Sequence, residues 1–341
     1  MKAREYTFDA SYQPQVRTKT GTSNIMLDVI IALIPAMAVG VWQFGARVLA
    51  LLAISVASAV FFEWGYRKLM KKPDSIGDLS ACVTGILLVL TLPSSAPLWM
   101  PVIGAFFGII IVKQLYGGLG KNFVNPALAG RAFLFFSWTK MMTDWAVPKA
   151  FAAVDAVSAA TPLSYLYTGA TMPAWFTAKN LFIGFCSGCI GEVSALALLV
   201  GGAYLLIRKV INWRIPVAYI GTVAVLCLLF GHEGYNNGEW ALYNVLSGGL
   251  LLGAIFMATD YSSSPVTLNG QLLYGFGCGA LTVLIRYFGG FPEGVTFAIL
   301  IMNLCSFAID KGTRGRQFGV SKADMKAAKK AAKAAKKEAK A

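Results

Sequence analysis

The sequence predicts an all-α polytopic membrane protein with about ten transmembrane helices. Of its 341 residues, 57% are hydrophobic and only 13% are charged, and the mean hydropathy is +0.62. The apolar residues also occur in blocks long enough to cross a bilayer, for which a helix needs about 20 residues. This composition leaves too little polar surface for a soluble protein of this length.

Ten apolar blocks are the predicted spans. They cover residues 25–44, 46–66, 79–95, 98–116, 130–146, 180–207, 215–231, 241–259, 272–289 and 294–310. The fifth is interrupted by Lys140 and Asp144, and the sixth is long and rich in glycine, which predicts a tilted or broken helix. Ten spans divide into five plus five, and an odd-numbered half is compatible with the inverted repeat that many transporters show.

Basic residues set the predicted orientation, because cytoplasmic loops of membrane proteins are enriched in Lys and Arg. Most of the 30 basic residues fall on one side, and the exceptions are Arg47, Lys140, Lys149, Lys179 and Arg286. We therefore expect a cytoplasmic segment 1–24 without a cleaved leader, a membrane domain 25–310 and a basic cytoplasmic tail 311–341. The long loop at about 147–179 is then extracytoplasmic.

The net charge of +14 does not predict nucleic-acid binding. Many of the basic residues follow Asp310, and most of the others lie at the ends of apolar blocks. That distribution is typical of topology determinants rather than of a groove that tracks phosphates. The alanine- and lysine-rich tail from Lys322 is predicted to be solvated, with anchoring to anionic lipid or to an acidic partner surface as the alternative.

The cysteines and the single histidine predict no metal site. All six cysteines fall within apolar blocks, where small core residues are the expectation. Cys186 and Cys189 have a spacing that redox and metal sites use and that could place both on one helical face. A structural zinc or iron–sulfur site usually needs two further ligands nearby, and none is evident in the sequence. With His232 as the sole histidine, bis-histidine haem ligation within the chain is excluded.

Ionisable residues inside the predicted spans are candidates for an ion path, because such residues are costly in hydrocarbon and are commonly functional. Glu192 lies among glycines in the middle of the sixth span. It could line an ion or proton path, hold a cofactor, or be a buried carboxyl held by neighbouring hydroxyls or amides. Asp260, at a cytoplasmic span end, is the second candidate. For Asp260, as for Glu63 and Lys113 near other span ends, contact with interfacial water is the simpler expectation.

Two loops are richer in turn residues than a plain connector requires. The first, GGLGKNFVNPALAGR at 117–131, contains four glycines together with Asn122 and Asn125. Close backbone approach and free amide donors suit a planar heterocycle, an ion, or a re-entrant loop buried in protein. The second loop, MATDYSSSPVTLNGQ at 257–271, has a similar character.

The segment from Asp155 to Thr161, DAVSAAT, resembles the flavinylation motif of the Rnf and Nqr electron-transport complexes. That motif is an aspartate followed by Ser/Thr-Gly-Ala-Thr, and in this family a flavin transferase moves FMN from FAD onto the last threonine. The resemblance implies a phosphoester on Thr161, with Asp155 and Ser158 as motif residues. Ala159 stands where the family has glycine.

A rival attachment site lies at 168–171, TGAT, whose tetrapeptide is closer to the family pattern. There, however, Tyr165 stands where the motif has aspartate. Thr161 is also followed by Pro162 and Leu163, as is common in the family. The resemblance therefore favours Thr161 over Thr171.

Further motifs extend this resemblance over nearly the whole chain. They are SNIMLDVIIALIPA (23–36), GGLGKNFVNPALAGR (117–131), GCIGEVSALALLVGG (188–202) and GAIFMATDYSSSP (253–265). In order and spacing they resemble the NqrB/RnfD family of membrane proteins, which supplies one component to each Rnf and Nqr complex. The Nqr paralogue has a longer N-terminal extension, so a first span near residue 25 favours Rnf.

The resemblance implies a component of a complex in the inner cell membrane that couples electron transfer between ferredoxin and NAD to movement of Na⁺ or H⁺. It implies covalent FMN on Thr161 and a second, non-covalent riboflavin, for which Asn122 and Asn125 are the candidate residues. No residue of the chain is assigned a catalytic role by itself. The implied partners are Rnf subunits A, B, C, E and G, a flavin transferase and the lipid bilayer. A small-solute transporter or channel, and a scaffold protein that carries no electrons, are the alternatives.

Overall fold

The protein is built almost entirely of helices. The computed structural model describes residues 21–146, 158–168, 176–232, 234–289 and 293–314. Within these ranges the helices are α1 (Thr22–Phe44), α2 (Arg47–Leu69), α3 (Ser80–Leu90), α4 (Met100–Phe106), α5 (Pro126–Ser137), α6 (Thr139–Met142), α7 (Pro162–Thr168), α8 (Ala178–Ile183), α9 (Ala195–Ile207), α10 (Arg214–Phe230), α11 (Asn237–Leu246), α12 (Leu250–Leu252), α13 (Leu268–Phe288) and α14 (Val295–Thr313). π-Helical turns extend α4 over Phe107–Gln114 and α12 over Gly253–Met257. Two short strands, β1 (Trp145–Ala146) and β2 (Ser158–Ala159), pair antiparallel.

Helix length separates nine of the ten predicted spans into two groups, and the fifth, which contains α5, falls in neither. Among the described residues, α1, α2, α13 and α14 are each long and apolar enough to cross a membrane. α11 and the segment Leu250–Met257 pass the same test together, bent by 61° at the break between them. α3, α9, α10 and the extended α4 are apolar but shorter. Every predicted apolar block contains a helix, so the all-α polytopic class is confirmed, while ten complete crossings remain a prediction.

The two halves of the chain repeat one packing arrangement. In the first half, α2 packs against both α3 and α4, and α4 packs against α5. In the second half, α10 packs against both α11 and α13, and α13 packs against α14. α1 and α9, which belong to the first span of each half, pack against one another. This correspondence supports the five-plus-five repeat.

The sixth span is broken where the two halves meet. Between α8 and α9 the backbone is non-helical, and Pro93 and Cys189 form an antiparallel bridge. The Ile190 N–H donates to the carbonyl of Leu92 at 3.0 Å, and the Gly191 N–H donates to the carbonyl of Leu90 at 2.7 Å. These bonds replace helical ones, as backbone at membrane depth requires.

The same break corrects two expectations about the cysteines. Cys186 and Cys189 lie in this non-helical stretch, so the idea that their spacing puts both on one helical face is wrong. Both are buried, free thiols, as are Cys227 and Cys278. The expectation of a core position fails for Cys305, which is exposed on α14; an apolar span can present a small side chain to lipid as readily as to protein.

Small residues bring helices close together both within one half and between the two halves. A Cβ on Gly130 of α5 would lie 2.6 Å from the carbonyl oxygen of Gly104 in α4. A Cβ on Gly201 of α9 would overlap the carbonyl oxygen of Ala32 in α1. Close approach through small residues is how helices associate in lipid, where no hydrophobic driving force acts between them. The glycine-rich sixth span therefore serves packing as well as the break.

A buried ion pair joins α2 to the π-helical end of α4. Glu63 is 0% exposed and Lys113 is 1% exposed, and the Lys113 Nζ donates to Glu63 Oε2 at 2.7 Å. Lys113 Nζ also donates to Ser80 Oγ at 2.6 Å, while Ser75 Oγ donates to Glu63 Oε1 at 2.5 Å. The expectation that these charges reach interfacial water is wrong, because α3 and the loop before it cover the pair.

Candidate functional site

Thr161 lies directly before α7 and is buried, with 5% of its surface exposed. Its Oγ1 accepts a hydrogen bond from the Ser164 N–H at 3.2 Å, which satisfies one of the free donors at the start of a helix. Ser187 Oγ donates to the carbonyl of Ala160 at 2.7 Å and ties the segment to the loop between α8 and α9. A group esterified to this oxygen therefore has to be attached before the segment packs, or while it opens.

The other residues of the predicted attachment motif are described only in part. Ser158 belongs to β2, where it pairs with Ala146. Asp155 and the rival Thr171 lie outside the described residues, as do most of the predicted loop, segment 1–20 and the tail from residue 315. The choice between Thr161 and Thr171 thus stays a prediction.

A small cavity lies beneath Thr161 at the two broken spans. It is lined by Thr161, Pro162, Cys186, Ser187, Gly188, Glu192, Leu246, Ser247 and Gly248. Gly248 and Gly249 have φ values of 71° and 64°, which favour glycine and allow α11 to end and the Leu250–Met257 half-helix to begin. A Cβ on Gly249 would lie 3.5 Å from the carboxyl carbon of Glu192. The break therefore brings Glu192 against the start of this half-helix.

Glu192 belongs to a cluster that the sequence did not predict. The Cys189 thiol and the carboxylates of Glu192 and Glu293 present ligand atoms within 4.8 Å of one another. Arg131 donates to Glu293 Oε2 at 2.5 Å, to Cys189 Sγ at 3.3 Å and to Thr296 Oγ1 at 2.9 Å. Burial, together with the nearby Glu192 carboxylate, raises the pKa of the Glu293 carboxyl to about 7. Glu293 was missed because it lies in a short connection just outside the predicted spans.

A second, larger cavity brings together residues that were predicted for different tasks. Asn122, Asn125, Asp260 and Lys113 line it, with apolar walls from α1, α3 and α9. The loop 117–131 and the loop 257–271 therefore form one site rather than two.

The two asparagines of this cavity are already hydrogen-bonded. Asn125 Oδ1 accepts from the N–H groups of Ala127 and Leu128, which makes Asn125 the N-cap of α5, and its Nδ2 donates to the carbonyl of Met257 at 3.1 Å. Asn122 Nδ2 donates to Asp260 Oδ2 at 3.3 Å. Asn125 therefore shapes the cavity, whereas Asn122 presents its side chain beside a carboxylate.

Asp260 and Glu192 lie at opposite ends of one half-helix. Glu192 contacts its start at Gly249, and Asp260 follows its last residue, Met257, by one turn. Ser262 and Ser263 donate to Asp260 Oδ2 at 2.9 and 3.0 Å. Eight helical residues span about 12 Å, so the two carboxylates that the sequence singled out are connected by one short element.

Comparison with known proteins agrees with this architecture. Residues 9–319 match the model of the NQR2, RnfD, RnfE family. A component of the Na⁺-translocating ferredoxin:NAD⁺ oxidoreductase complex of Acetobacterium woodii is 48% identical over 95% of this chain and 99% of its own. Its counterpart in the proton-translocating ferredoxin:NAD⁺ oxidoreductase complex of Clostridium ljungdahlii is 43% identical over 92% and 96%.

A third relative belongs to the ion-translocating oxidoreductase complex of Stutzerimonas stutzeri and is 38% identical over 88% of this chain and 93% of its own. In all three complexes the matching component is the one designated D. The similarity extends over the half-helices and loops that build both cavities. The chain, a multi-pass membrane protein, therefore belongs to the NQR2, RnfD, RnfE family.

Proposed function

We propose that this chain is the RnfD-type membrane component of an Rnf complex, in which electron transfer between ferredoxin and NAD is coupled to movement of Na⁺ or H⁺. The observation that carries the proposal is similarity along almost the entire chain to relatives that are named as the D component of such complexes. The partners are then subunits A, B, C, E and G. The charge asymmetry of the sequence supports cytoplasmic termini and an extracytoplasmic Thr161.

Thr161 is the proposed attachment point for FMN, transferred by a flavin transferase. Once bound, FMN would supply the electron-transfer chemistry. The hydroxyl of Thr161 adjoins a cavity whose Ser247 Oγ has no hydrogen-bond partner among the described residues, so a polar group could be accommodated beside it. Ser187 and Ser164 hold the backbone around Thr161 in place.

The larger cavity is the proposed site of a non-covalent riboflavin. Its apolar walls suit a planar ring, and Asn122, Lys113 and Asp260 provide polar groups at its edge. Asn125 acts indirectly, by capping α5 and tying the loop to Met257.

Replacing Asn122 with leucine should remove this second flavin while leaving the covalent one. The leucine side chain offers no hydrogen bond to a heterocycle and occupies a polar edge of the cavity, so riboflavin binding should weaken by about tenfold or more, the loss expected when a buried polar partner is removed. Acid precipitation of the purified protein separates the two flavins, because only riboflavin stays in the supernatant. Covalent flavin in the pellet is the internal control. Unchanged riboflavin in the supernatant would remove Asn122 from the site.

Glu192 and Asp260 are the proposed residues of the ion path. They lie at the two ends of the Leu250–Met257 half-helix, and discontinuous helices of this kind commonly carry ion sites in transporters. The electron and ion sites would then share the bundle centre beneath Thr161.

Membrane vesicles that contain the intact complex test the proposal directly. We expect reduced ferredoxin and NAD⁺ to drive NADH formation together with Na⁺ or H⁺ uptake, and both should disappear when this chain is omitted and return when it is restored. Solute or ion movement that needs no ferredoxin would favour the alternative of a small-solute transporter or channel. NADH formation that persists in a flavin-free variant of this chain would favour the alternative of a scaffold protein that carries no electrons.

A further inference from the structure

The cluster around Glu192 contains two carboxylates, those of Glu192 and Glu293, and one guanidinium, that of Arg131, which is hydrogen-bonded to Glu293. Arg131 forms an ion pair with Glu293 at 2.5 Å, but no ion pair to Glu192 is found among the described residues. The other nearby cation, Arg286, donates to the carbonyls of Asn244, Ser247 and Gly248 at the end of α11. Its hydrogen bonds therefore serve the carbonyl end of that helix, and its charge acts on the Glu293 carboxylate without forming an ion pair with it.

Two buried oxygen atoms at this cluster lack a hydrogen-bond partner within the described part of the chain. They are Glu293 Oε1 and Ser247 Oγ, and Ser247 is only 3% exposed. Glu192 lies beside both, since it shares the small cavity with Ser247 and the ligand cluster with Glu293. Buried polar atoms are rarely left unsatisfied, so such atoms point to a missing partner such as an ion.

We propose that Glu192, Glu293 and Ser247 bind one Na⁺ beneath Thr161. Hard oxygen ligands suit such a cation, and the end of α11 and the start of the next half-helix form a break of the kind that coordinates Na⁺ in transporters. A divalent ion is disfavoured because Arg131 already contributes one positive charge to Glu293. A proton shared by the two carboxylates would leave the buried Ser247 Oγ without a partner, whereas a cation takes such an oxygen as a further ligand.

The coupling role of the site rests on the proposed function, although Na⁺ binding itself does not. An electron that arrives beside Thr161 adds negative charge next to the small cavity, and a cation held by Glu192 compensates it at short range. Binding and release of Na⁺ at Glu192 would then follow the redox state of the neighbouring group.

Binding of radioactive sodium to the purified, resting complex tests the site without ferredoxin. Glu192→Gln and Glu293→Gln each replace a carboxylate by an amide of the same shape, and Ser247→Ala removes the hydroxyl. We expect each variant to bind Na⁺ about tenfold more weakly or worse, as losses around metal sites usually do. Glu239→Gln, at an exposed position in the first turn of α11, should bind as the unmodified complex does.

The proposal is overturned if both glutamine variants bind Na⁺ normally. It is also overturned if the complex binds no Na⁺ while the glutamine variants shift the pH profile of turnover. That result would show that Glu192 and Glu293 bind a proton instead. An unchanged elution volume and an unchanged unfolding temperature show that a variant has folded. NADH formation is measured separately. If the complex forms no NADH but Glu192→Gln still weakens Na⁺ binding, the proposed function is contradicted and the Na⁺ site is not.

Discussion

Thr161→Ala should eliminate covalent flavin from this chain, because a phosphoester needs a side-chain oxygen that alanine lacks. Fluorescence of the protein band on a denaturing gel measures the covalent flavin, and mass analysis of the peptide that spans Thr161 locates it. The protein has to be expressed together with a flavin transferase. Thr171→Ala is the matched control and should keep the fluorescence of the unmodified protein.

Packing around Thr161 calls for a second variant. Its Oγ1 caps α7 through Ser164, so removing it also costs about 0.5–2 kcal/mol of local stability. Thr161→Val retains the volume of the buried side chain but not the oxygen, and it should lose flavin as completely as Thr161→Ala. If only Thr171→Ala loses the fluorescence, the flavin is attached to Thr171, and the family assignment is unchanged. Absence of flavin from the unmodified protein would favour the alternative of a small-solute transporter or channel without a redox role.

Lys113→Met should destabilise the protein more than any surface charge replacement. It removes the cation that is hydrogen-bonded to the Glu63 carboxylate, which is 0% exposed. Arg67 Nε remains 4.0 Å from Glu63 Oε1, so the loss should lie toward the lower end of the roughly 3–5 kcal/mol that breaking a buried ion pair costs. Thermal unfolding of the detergent-solubilised protein measures the loss. The double variant Lys113→Met with Glu63→Gln should recover part of it, because the stranded charge is then gone.

The pair between Arg208 and Asp28 provides the control for Lys113. Arg208 Nη2 lies 3.1 Å from Asp28 Oδ2, a distance similar to that of the buried pair, but 54% of the Arg208 side chain is exposed. Water screens such a pair, so Arg208→Met should change the unfolding temperature far less. Equal losses in Lys113→Met and Arg208→Met would show that burial does not determine the strength of the Lys113 pair.

Local sequence signals predicted the elements of this protein well. Apolar blocks located the helices, because the requirement to satisfy backbone groups within each segment applies to every stretch of chain in a bilayer. The glycine content of the sixth span predicted its break, and intramembrane charge singled out Glu192. Cys186 and Cys189 show the limit of such signals, since their spacing cannot indicate that pairing with Leu90–Leu92 replaces the helix.

The site depended on contacts that no local pattern contains. Glu293 is 162 residues from its partner Arg131, and Asn122 is 138 residues from Asp260. Contacts between residues so far apart produce no periodic pattern in the sequence. Glu293 also lies in a short loop, where a carboxylate is ordinarily solvated. The burial of Glu63 and Lys113 was missed for the same reason, because α3 covers them only in the folded bundle.

By itself the sequence determined the membrane class, the approximate helices and the resemblance to its family, and it predicted the attachment motif at Thr161, all of which depend on composition or on contiguous residues. Only the tertiary structure decided that Glu192 meets Glu293 and Ser247 beneath Thr161, and that two separate loops enclose one cavity. The physical reason is that packing of broken helices brings distant groups together, and the energy of a buried charge depends on those neighbours rather than on its own segment.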